Sequence, residues 1–380
     1  MKIILSIDTI KYPLTGTGRY TYELIRQLES MGDISSLRYF RGWKVTDAIP
    51  APQETANSRG SFISAMARSR AAIALYGMVM PKIKARALAS FEDYIFHGTS
   101  FYLPKFPGSS VATIHDLSMY SWADCHPPER VRFMREEIEL TLGRAGRLIT
   151  DSEYTRHEVA QHFNWPLEKV HAISLGCGAE FHPRSHEDLL PVLSRYRLEP
   201  GGYTLFTGTI EPRKNLDALL TAYGRLTEAV RNRWPLVLTG YQGWGSQAIH
   251  DRIAQGEREG WLRYLGYLPS AELPLLMAGA RLFAYPSLYE GFGLPVLEAM
   301  ASGTPVVCSN SSSLPEVAGD AAAMCPPGDI DSLHLLLQSG LEDETWRTEA
   351  INKGLARAAM FSWARCAEKT ISVYRALEAS

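Results

Sequence analysis

The sequence lacks a long hydrophobic run and an excess of charge of either sign. No apolar stretch approaches the roughly 18 residues that a helix needs to span a bilayer. The opening residues, MKIILSIDTI, hold too short an apolar stretch for a signal peptide. Lys and Arg total 39 against 41 for Asp and Glu, so nothing global indicates a nucleic-acid partner. We therefore expect a cytoplasmic protein that, if it acts at a membrane, lies peripherally on the inner face of the plasma membrane.

Cysteine is also scarce. The five cysteines form no Cys-x-x-Cys pair, and their odd count argues against a disulfide framework, so we expect reduced thiols. No spacing typical of a metal site accompanies the motifs described below. We therefore expect a protein that needs neither a bound metal nor a resident cofactor.

The length of 380 residues and a hydrophobic content of 46% predict two domains with sizeable cores. Apolar, β-branched runs alternate with helical patterns from Ile3 onward, and the alternation restarts at Tyr203. The polar stretch His182 to Pro200 between the two series is interpreted as a linker. Such alternation predicts an α/β fold with two doubly wound parallel sheets and a cleft between them. The predicted domains are residues 1–185 and 186–360.

The strongest motif is Glu290-Gly-Phe-Gly-Leu-Pro-Val-Leu-Glu298, in which two carboxylates flank a glycine turn. The proline suits the first turn of a helix, so we expect Glu290 in a loop and Glu298 about one turn inside the helix. The amides of Phe292, Gly293 and Leu294 would then point outward, where sugar oxygens are favoured. One acid could hold a hexose hydroxyl and the other a vicinal diol such as ribose. A simple turn followed by a solvated Glu is the alternative.

A second motif, Phe206-Thr-Gly-Thr-Ile-Glu-Pro-Arg-Lys-Asn215, lies between a predicted strand and a predicted helix. Gly208 allows a tight turn there. Arg213 and Lys214 then lie at the carboxyl end of the strand, where adjacent cations suit a diphosphate. Because a leaving diphosphate gains negative charge, both residues could stabilise the transition state. The alternative is that both are solvated charges without a ligand. That alternative is weakened because cations are unfavourable at a helix N-terminus unless an anion is present.

A third motif, Thr15-Gly-Thr-Gly-Arg19, follows the first strand. Two glycines at this spacing let a ligand approach the backbone closely, although such loops often serve only as turns. We select Gly16, Thr17 and Gly18 as candidate binding residues.

A fourth motif, Thr113-Ile-His-Asp-Leu117, places His115 at the end of another strand. A single histidine is more often structural than catalytic, and its strand-end position favours a functional role. His97 ends a neighbouring strand, and we interpret it as a residue that supports the site without contacting the substrate.

Together these motifs resemble glycosyltransferase family 4, which has the GT-B fold of two Rossmann-like domains whose parallel sheets face each other across a cleft. Glu290 to Glu298 is similar to the Glu-x7-Glu motif of that family. The segments Gly-x-Gly-Arg-Tyr, His-Gly-Thr-Ser-Phe and Thr-Ile-His-Asp-Leu are similar to those of bacterial mannosyltransferases of O-antigen assembly. The resemblance extends over nearly the whole chain. It departs from the family at Ala179 and Glu180, where an Asp is usual.

The resemblance implies a role for each candidate residue. In the family the first Glu of the motif faces the donor sugar and the second binds the nucleotide ribose, which implies those roles for Glu290 and Glu298. The matching Arg213 and Lys214 bind the donor diphosphate. His115 matches a histidine that contacts the donor sugar or the acceptor.

Three further segments take their interpretation from the family. The glycine motif reaches across the cleft toward the diphosphate and the acceptor. Tyr267 resembles a residue near the nucleotide base and could stack on it, or it could belong to the core. Residues 361–380 resemble the terminal helix that crosses back to the N-terminal, acceptor-binding domain.

The implied reaction is a retaining, metal-independent transfer of a hexose from a GDP-sugar to a growing, lipid-linked bacterial surface polysaccharide. Mannose or a deoxy relative such as rhamnose is the implied sugar, so GDP-mannose or GDP-rhamnose would be the donor. No carboxylate stands out as a double-displacement nucleophile, so departure of the leaving group from the attacked face fits better. A GT-B sugar-nucleotide epimerase and a transferase that uses a UDP-sugar are the alternatives, which product analysis separates.

A basic stretch without Asp or Glu runs from residue 55 to residue 91. It interleaves apolar residues with six cations, which are Arg59, Arg68, Arg70, Lys82, Lys84 and Arg86. Such a stretch can bind an anionic membrane surface, and each basic residue near that surface contributes about 1 kcal/mol to the binding free energy. The alternative is a solvated face over a core stripe.

We predict that replacing these six cations with Gln weakens binding to anionic vesicles and spares activity on a soluble acceptor analogue, because the charges act on the lipid surface. Vesicle sedimentation measures the first effect and a transfer assay the second. Equal sedimentation of both proteins would favour the solvated face.

Overall fold

The structure, a computed structural model, describes residues 1–51 and 70–379. Within them the N-terminal part forms a seven-stranded sheet in the order β3-β2-β1-β4-β5-β6-β7. β3 pairs antiparallel with β2, and the other pairs are parallel. The strands are β1 (Lys2–Ser6), β2 (Ser36–Arg41), β3 (Lys44–Thr46), β4 (Ile95–Gly98), β5 (Ser110–Ile114), β6 (Arg147–Thr150) and β7 (Val170–Ala172).

Helices cover this first sheet and connect its parallel strands. They are α1 (Gly16–Glu29), α2 (Arg70–Leu88), α3 (Ser118–Ser121), α4 (Pro128–Leu142) and α5 (Glu153–Phe163). The central strands β4 and β5 are buried along their whole length, as expected for β-branched and apolar runs that are covered on both faces.

A second sheet of six parallel strands follows in the order β10-β9-β8-β11-β12-β13, counted over the described chain. The order reverses between β8 and β11, which makes that gap the topological switch point of a doubly wound sheet. The strands are β8 (Thr204–Thr207), β9 (Leu236–Thr239), β10 (Leu262–Tyr264), β11 (Leu282–Tyr285), β12 (Val306–Ser309) and β13 (Ala322–Cys325).

The helices of the C-terminal part pack around the second sheet, and the last one leaves it. They are α6 (His186–Leu193), α7 (Leu216–Gly224), α8 (Glu228–Arg233), α9 (Gln247–Arg258), α10 (Leu273–Gly279), α11 (Leu294–Ala301), α12 (Leu314–Ala318), α13 (Ile330–Glu342), α14 (Glu344–Ala358) and α15 (Trp363–Glu378). Two parallel sheets with helices on their faces confirm the predicted α/β fold.

The stretch predicted as a linker, His182 to Pro200, contains the helix α6. A capping box between Ser185 and Asp188 starts this helix, and the polar residues that suggested a linker are those of the cap. The side chain of Leu193 packs closely against Gly279, where an added Cβ would lie only 2.7 Å from it. α6 therefore packs against α10 of the second sheet.

The terminal helix α15 packs against α1 and β6 of the first sheet. The hydroxyl of Tyr374 lies 2.6 Å from His97 Nδ1, in a buried hydrogen bond. Arg147 donates to the carbonyl of Ala376 at 3.0 Å. The last helix thus ties the end of the chain to the N-terminal sheet.

Three strands were not predicted, and one predicted loop is helical. β2 is half-buried and carries two arginines, β3 has three residues, and β13 is rich in Ala and Met, so none shows a clear strand pattern. The glycine motif after β1, which was predicted to be a loop, forms the first turn of α1, which begins at Gly16.

Residues 55–69 of the predicted amphipathic stretch, Arg59 and Arg68 among them, lie outside the described residues. On α2, Lys82 and Arg86 are exposed, and so are the apolar side chains of Val79 and Ile83. No helix in the described ranges is both long enough and apolar enough to cross a membrane.

Candidate functional site

The candidate site is a cleft between the two sheets, at the carboxyl ends of strands from both. Its cavity has a volume of about 480 Å³. Loops after β1 and β5 line one side, and loops after β8 and β11 line the other. The predicted residues that reach its wall are Gly16, Thr17, His115, Gly208, Arg213, Lys214, Tyr267, Glu290, Phe292, Gly293, Leu294 and Glu298.

Glu290 lies at the centre of a hydrogen-bonded cluster. Its Oε1 accepts from Lys214 Nζ at 2.6 Å and from the hydroxyls of Ser287 at 2.6 Å and Tyr285 at 2.9 Å. Its Oε2 accepts from Arg213 Nη1 at 3.3 Å. β11 and the loop after it carry the acid and the two hydroxyls, and the turn after β8 carries both cations. The two strands at the switch point therefore supply the whole cluster.

This environment keeps Glu290 ionised. Burial, which leaves 8% of the residue exposed, would by itself raise the pKa of its carboxyl group. The charges of Lys214 and Arg213, together with the hydrogen bonds from Lys214 and Ser287, outweigh burial and lower that pKa to about 2. A carboxylate this well stabilised is a weak nucleophile and a weak base.

The two cations are anchored by the protein and still retain donors. Arg213 donates to Glu211 Oε1 at 2.7 Å and to the carbonyl of Tyr289 at 2.6 Å. Its Nη2 has one acceptor in the described chain, Glu211, for two N–H groups. Lys214 Nζ has two acceptors there, Glu290 and the hydroxyl of Tyr285, for its three N–H groups. Both side chains can therefore hold an anionic ligand while they pair with Glu290.

The helix α11 begins where the sequence placed it. Gly293 caps it with φ +110°, a conformation that favours glycine, and Phe292 and Leu294 reach the cavity on either side. Glu298 lies one turn inside the helix and is 8% exposed. Burial raises the pKa of Glu298 to about 7, and Glu180 adds to this shift while Arg19 opposes it.

Arg19 and Glu180 form a salt bridge near Glu298 that the sequence did not predict. Arg19 Nη1 lies 2.6 Å from Glu180 Oε1. The departure from the family pattern at Glu180 thus supplies a partner for the arginine of the glycine motif. Across the described chain, no side chain donates a hydrogen bond to the Glu298 carboxylate, so its oxygens are available to a ligand.

The three residues selected from the glycine motif have different roles. Gly16 and Thr17 line the cavity, and a Cβ on Gly16 would meet open space. Gly18 does not line it. A Cβ there would lie 2.7 Å from the carbonyl oxygen of Thr9, so Gly18 allows α1 to pack against the loop after β1. Gly18 thus has a packing role in this structure, and its selection as a binding residue stays a prediction.

His115 lies at the cavity wall, but both its ring nitrogens are engaged by the protein. Nδ1 is 2.7 Å from Asp151 Oδ2, and Nε2 is 3.1 Å from the carbonyl oxygen of Thr99. Burial lowers the pKa of His115, and Asp151 outweighs burial to give a net rise. Since both partners are acceptors, the ring has no free nitrogen with which to contact a sugar.

His97 supports the site from the core, as the sequence suggested. It is fully buried, and its Nε2 is 2.9 Å from the hydroxyl of Thr113, which in turn lies 2.9 Å from the hydroxyl of Tyr20. Burial, aided by the charge of His115, lowers the pKa of His97 to about 3, so the ring is neutral.

Tyr267 stacks on another tyrosine at the mouth of the cleft. Its ring centroid is 4.1 Å from that of Tyr241, with 14° between the planes, and both residues are more than 40% exposed. Tyr267 therefore lies at the surface and not in the core, and its stacking on the nucleotide base stays a prediction. Gly208 opposite adopts φ +151°, which favours glycine.

The loop that carries Glu290 is also bonded to the N-terminal domain. The Tyr289 hydroxyl donates to Glu158 Oε2 at 2.5 Å and accepts from the amide of Leu117 at 2.9 Å. The carbonyl of Gly291 accepts from the Ser152 hydroxyl at 2.8 Å. A Cβ on Gly291 would lie 1.9 Å from the carbonyl oxygen of His115, so glycine is needed for this approach.

Over the described ranges, no group of three or more His, Cys, Asp and Glu side chains is placed to hold a metal ion. Asp329 and Asp331, at the start of α13, have other partners: Asp329 caps that helix, and Asp331 pairs with Arg225 at 2.5 Å.

Comparison with known proteins identifies the family. Residues 197–357 match the family described as Glycosyl transferases group 1. The chain is also 43% identical to O-antigen chain mannosyltransferase B of Escherichia coli, over 99% of this chain and 100% of that protein. The chain belongs to the group 1 glycosyl transferases.

Other relatives support this assignment. The glycosyltransferase is 32% identical over 82% of its length to the serotype-specific mannosyltransferase WbdA of Escherichia coli, and it spans 39% of that longer protein. Among solved structures, HepE of Anabaena with UDP and glucose superposes with a TM-score of 0.75 at 17% identity, covering 99% of this chain and 100% of that one. WaaG, a glycosyltransferase involved in lipopolysaccharide biosynthesis, superposes with a TM-score of 0.68 at 13% identity, covering 97% of this chain and 98% of that one. These likenesses confirm the predicted GT-B fold.

The sequence did not reveal several residues of the glycosyltransferase site. Tyr285 and Ser287 complete the Glu290 cluster, and Glu211 anchors Arg213. Asp151 fixes His115. Asp151 directly follows β6, so the strand-end rule that found His115 could also have found it. The hydroxyl residues Tyr285 and Ser287 have no comparable signal in the sequence.

We predict that nucleotide-sugar binding to the glycosyltransferase tightens as pH rises through about 7, since Glu298 becomes ionised there and a carboxylate accepts both hydroxyls of a diol. Calorimetric Kd values across this range test it, with Glu298→Gln as the variant that should show no such dependence. A nucleotide sugar is used because a terminal phosphate itself titrates at about pH 6. The same pH profile in both proteins would contradict the prediction.

We predict that Tyr289→Phe lowers thermal stability and lowers kcat more than it raises KM for the donor. The change leaves the Leu117 amide unpaired, at a cost of about 1–3 kcal/mol, and loosens the loop that carries Glu290. Tyr154→Phe is the matched control, because Tyr154 lies next to Tyr289 and is exposed. Equal melting temperatures and turnover in the two variants would show that the contact does not hold the loop.

Proposed function

We propose that this glycosyltransferase transfers mannose from GDP-mannose to a growing, lipid-linked bacterial surface polysaccharide, with retention of configuration and without a metal or other cofactor. The observation that carries the proposal is the 43% identity, from end to end, to an O-antigen chain mannosyltransferase. Because the likeness extends over both domains, it includes the acceptor side of the cleft as well as the donor side.

The ionised Glu290 fits a place beside the donor sugar. Positive charge develops at the anomeric carbon in the transition state, and a fixed negative charge there stabilises it more than the ground state. The low pKa of Glu290 argues against its acting as a covalent nucleophile. Front-face departure of the diphosphate, with the leaving phosphate taking the acceptor proton, is consistent with this environment.

Arg213 and Lys214 fit the diphosphate. Both lie in the turn after β8, and within the described chain Arg213 Nη2 and Lys214 Nζ each have fewer acceptors than N–H groups. Two cations could neutralise the leaving group in place of a divalent metal. Their pairing with Glu290 would bring the diphosphate and the sugar carbon next to each other.

A lipid-linked acceptor fits the exposed surface of α2. Val79 and Ile83 present apolar side chains to solvent beside the cations Lys82 and Arg86. This combination favours an anionic membrane surface, where the lipid-linked glycan would be presented. The protein would then act at the inner face of the membrane.

The test is a donor screen followed by product analysis. We expect sugar transfer to a mannose-terminated acceptor from GDP-mannose, with GDP-rhamnose and UDP-sugars as the competing donors. NMR of the product reports whether the configuration is retained, and EDTA should leave the rate unchanged. Preference for a UDP-sugar, inversion, or an activity restored by Mg²⁺ would each overturn the corresponding part of the proposal, and epimerisation of the donor without transfer would overturn the whole.

We predict that the two acids of the motif differ in effect. Glu290→Gln should lower kcat on the order of 100-fold, because charge stabilisation in the transition state is lost. Glu298→Gln should mainly raise KM, since a ribose contact is made in both ground and transition states. Titration with free GDP, which has a ribose but no hexose, should give a higher Kd for the Glu298 variant alone. The reverse order would show that the two roles are exchanged.

A further inference from the structure

A second cavity, of about 580 Å³, lies in the N-terminal domain where α4 begins, and we call it the α4 cavity. It adjoins the donor cleft. Trp244 lines the cleft, and its ring centroid is 5.4 Å from that of His126, which lines the α4 cavity. A ligand that extends out of the cleft past this pair of rings would therefore meet the α4 cavity next.

His126 is the unusual residue of this cavity. It is 7% exposed, and neither Nδ1 nor Nε2 has a hydrogen-bond partner within residues 1–51 and 70–379. Buried polar atoms are nearly always paired, because an unpaired one gives up its bonds to water without replacement. A ring with two unpaired nitrogens that lines a cavity indicates a ligand that supplies the missing bonds.

The charge state of His126 indicates which ligand chemistry fits. Burial lowers the pKa of His126 to about 4, and the nearby Arg213 and Arg130 contribute to the shift. The ring is therefore neutral, with one nitrogen that donates and one that accepts. A hydroxyl group, which also donates and accepts, is the matching partner. An anion, which only accepts, would leave the second ring nitrogen unpaired.

The rest of the α4 cavity favours the same chemistry. Its wall carries cations and acids in nearly equal number, which are Arg132, Arg135, Asp124, Glu136 and Glu139. Such a wall has no excess of positive charge to select a phosphate, and it offers both donors and acceptors to a ligand rich in hydroxyls. A neutral sugar meets this description.

The segment that carries His126 is held in place from the other domain. The indole Nε1 of Trp244 donates to the carbonyl of Cys125, and the guanidinium carbon of Arg130 lies 4.9 Å from the Trp244 ring. The position of His126 therefore depends on contacts from both domains, as they are placed in this structure. The α4 cavity and the donor cleft would act as one continuous binding surface in that state.

We propose that the α4 cavity binds an internal sugar of the acceptor glycan, one or more residues behind the sugar that is extended, and that His126 is a positioning residue that hydrogen-bonds its hydroxyls. This inference rests on the proposed transfer to a growing glycan. It means that the protein recognises the length of its acceptor and not just the terminal sugar.

The test compares acceptors of increasing length. With mannose, mannobiose and mannotriose glycosides as soluble acceptors, the wild-type KM should fall as the acceptor lengthens. His126→Phe should raise the KM for the trisaccharide about tenfold more than the KM for the monosaccharide, while His126→Gln, which keeps a donor and an acceptor, should restore part of the difference. The exposed His157 provides the control His157→Phe, which should leave the ratio of the two KM values unchanged.

A second variant tests the cavity without altering His126. Ala123 lines the α4 cavity, so Ala123→Phe should fill part of it and reduce the preference for the trisaccharide. Unchanged KM ratios in the His126 and Ala123 variants, or a wild-type KM independent of acceptor length, would overturn the inference. The ratios are measured with whichever donor the screen identifies and with glycosides of that donor's sugar. A wrong assignment of mannose is therefore detected by the screen and not by this test.

Discussion

The pairing of the buried Glu290 carboxylate with Lys214 and Arg213 is the interaction on which the site depends. A buried charge is tolerated when it is paired and hydrogen-bonded, and here the carboxylate of Glu290 pairs with both cations, while Arg213 also pairs with Glu211. The acid and the cations come from loops at the two strands where the order of the second sheet reverses. The sheet topology therefore fixes the distance between the group that would face a sugar and the groups that would hold its leaving diphosphate.

The same loop joins the two domains. Tyr289 and Gly291, on either side of Glu290, are bonded to the N-terminal domain, while Glu290 itself is bonded within the C-terminal one. Opening of the cleft would break the bonds that Tyr289 and Gly291 make to the N-terminal domain, next to the acid. The geometry of the reacting groups and the relative position of the domains are thus coupled through three consecutive residues.

The two acids of the Glu-x7-Glu motif are equally buried and yet have opposite pKa shifts. Glu290 has two cations within hydrogen-bond distance and a pKa of about 2, whereas Glu298 has Arg19 nearby, shared with Glu180, and a pKa of about 7. The difference comes from the neighbours and not from burial. It gives one acid a permanent charge and makes the charge of the other responsive to pH and to a ligand.

The sequence by itself determined the two-domain α/β fold, the family, and part of the cleft lining, because strand periodicity, glycine turns and strand-end positions are local properties. It placed Glu290, Glu298, Arg213 and Lys214 correctly at the cavity wall. Only the tertiary structure decided that His115 has no free nitrogen, that Gly18 serves packing, and that His126 is buried without a partner. Each of those facts depends on atoms brought together from distant positions in the chain, such as Asp151 beside His115 and Trp244 beside His126, and no local pattern records such contacts.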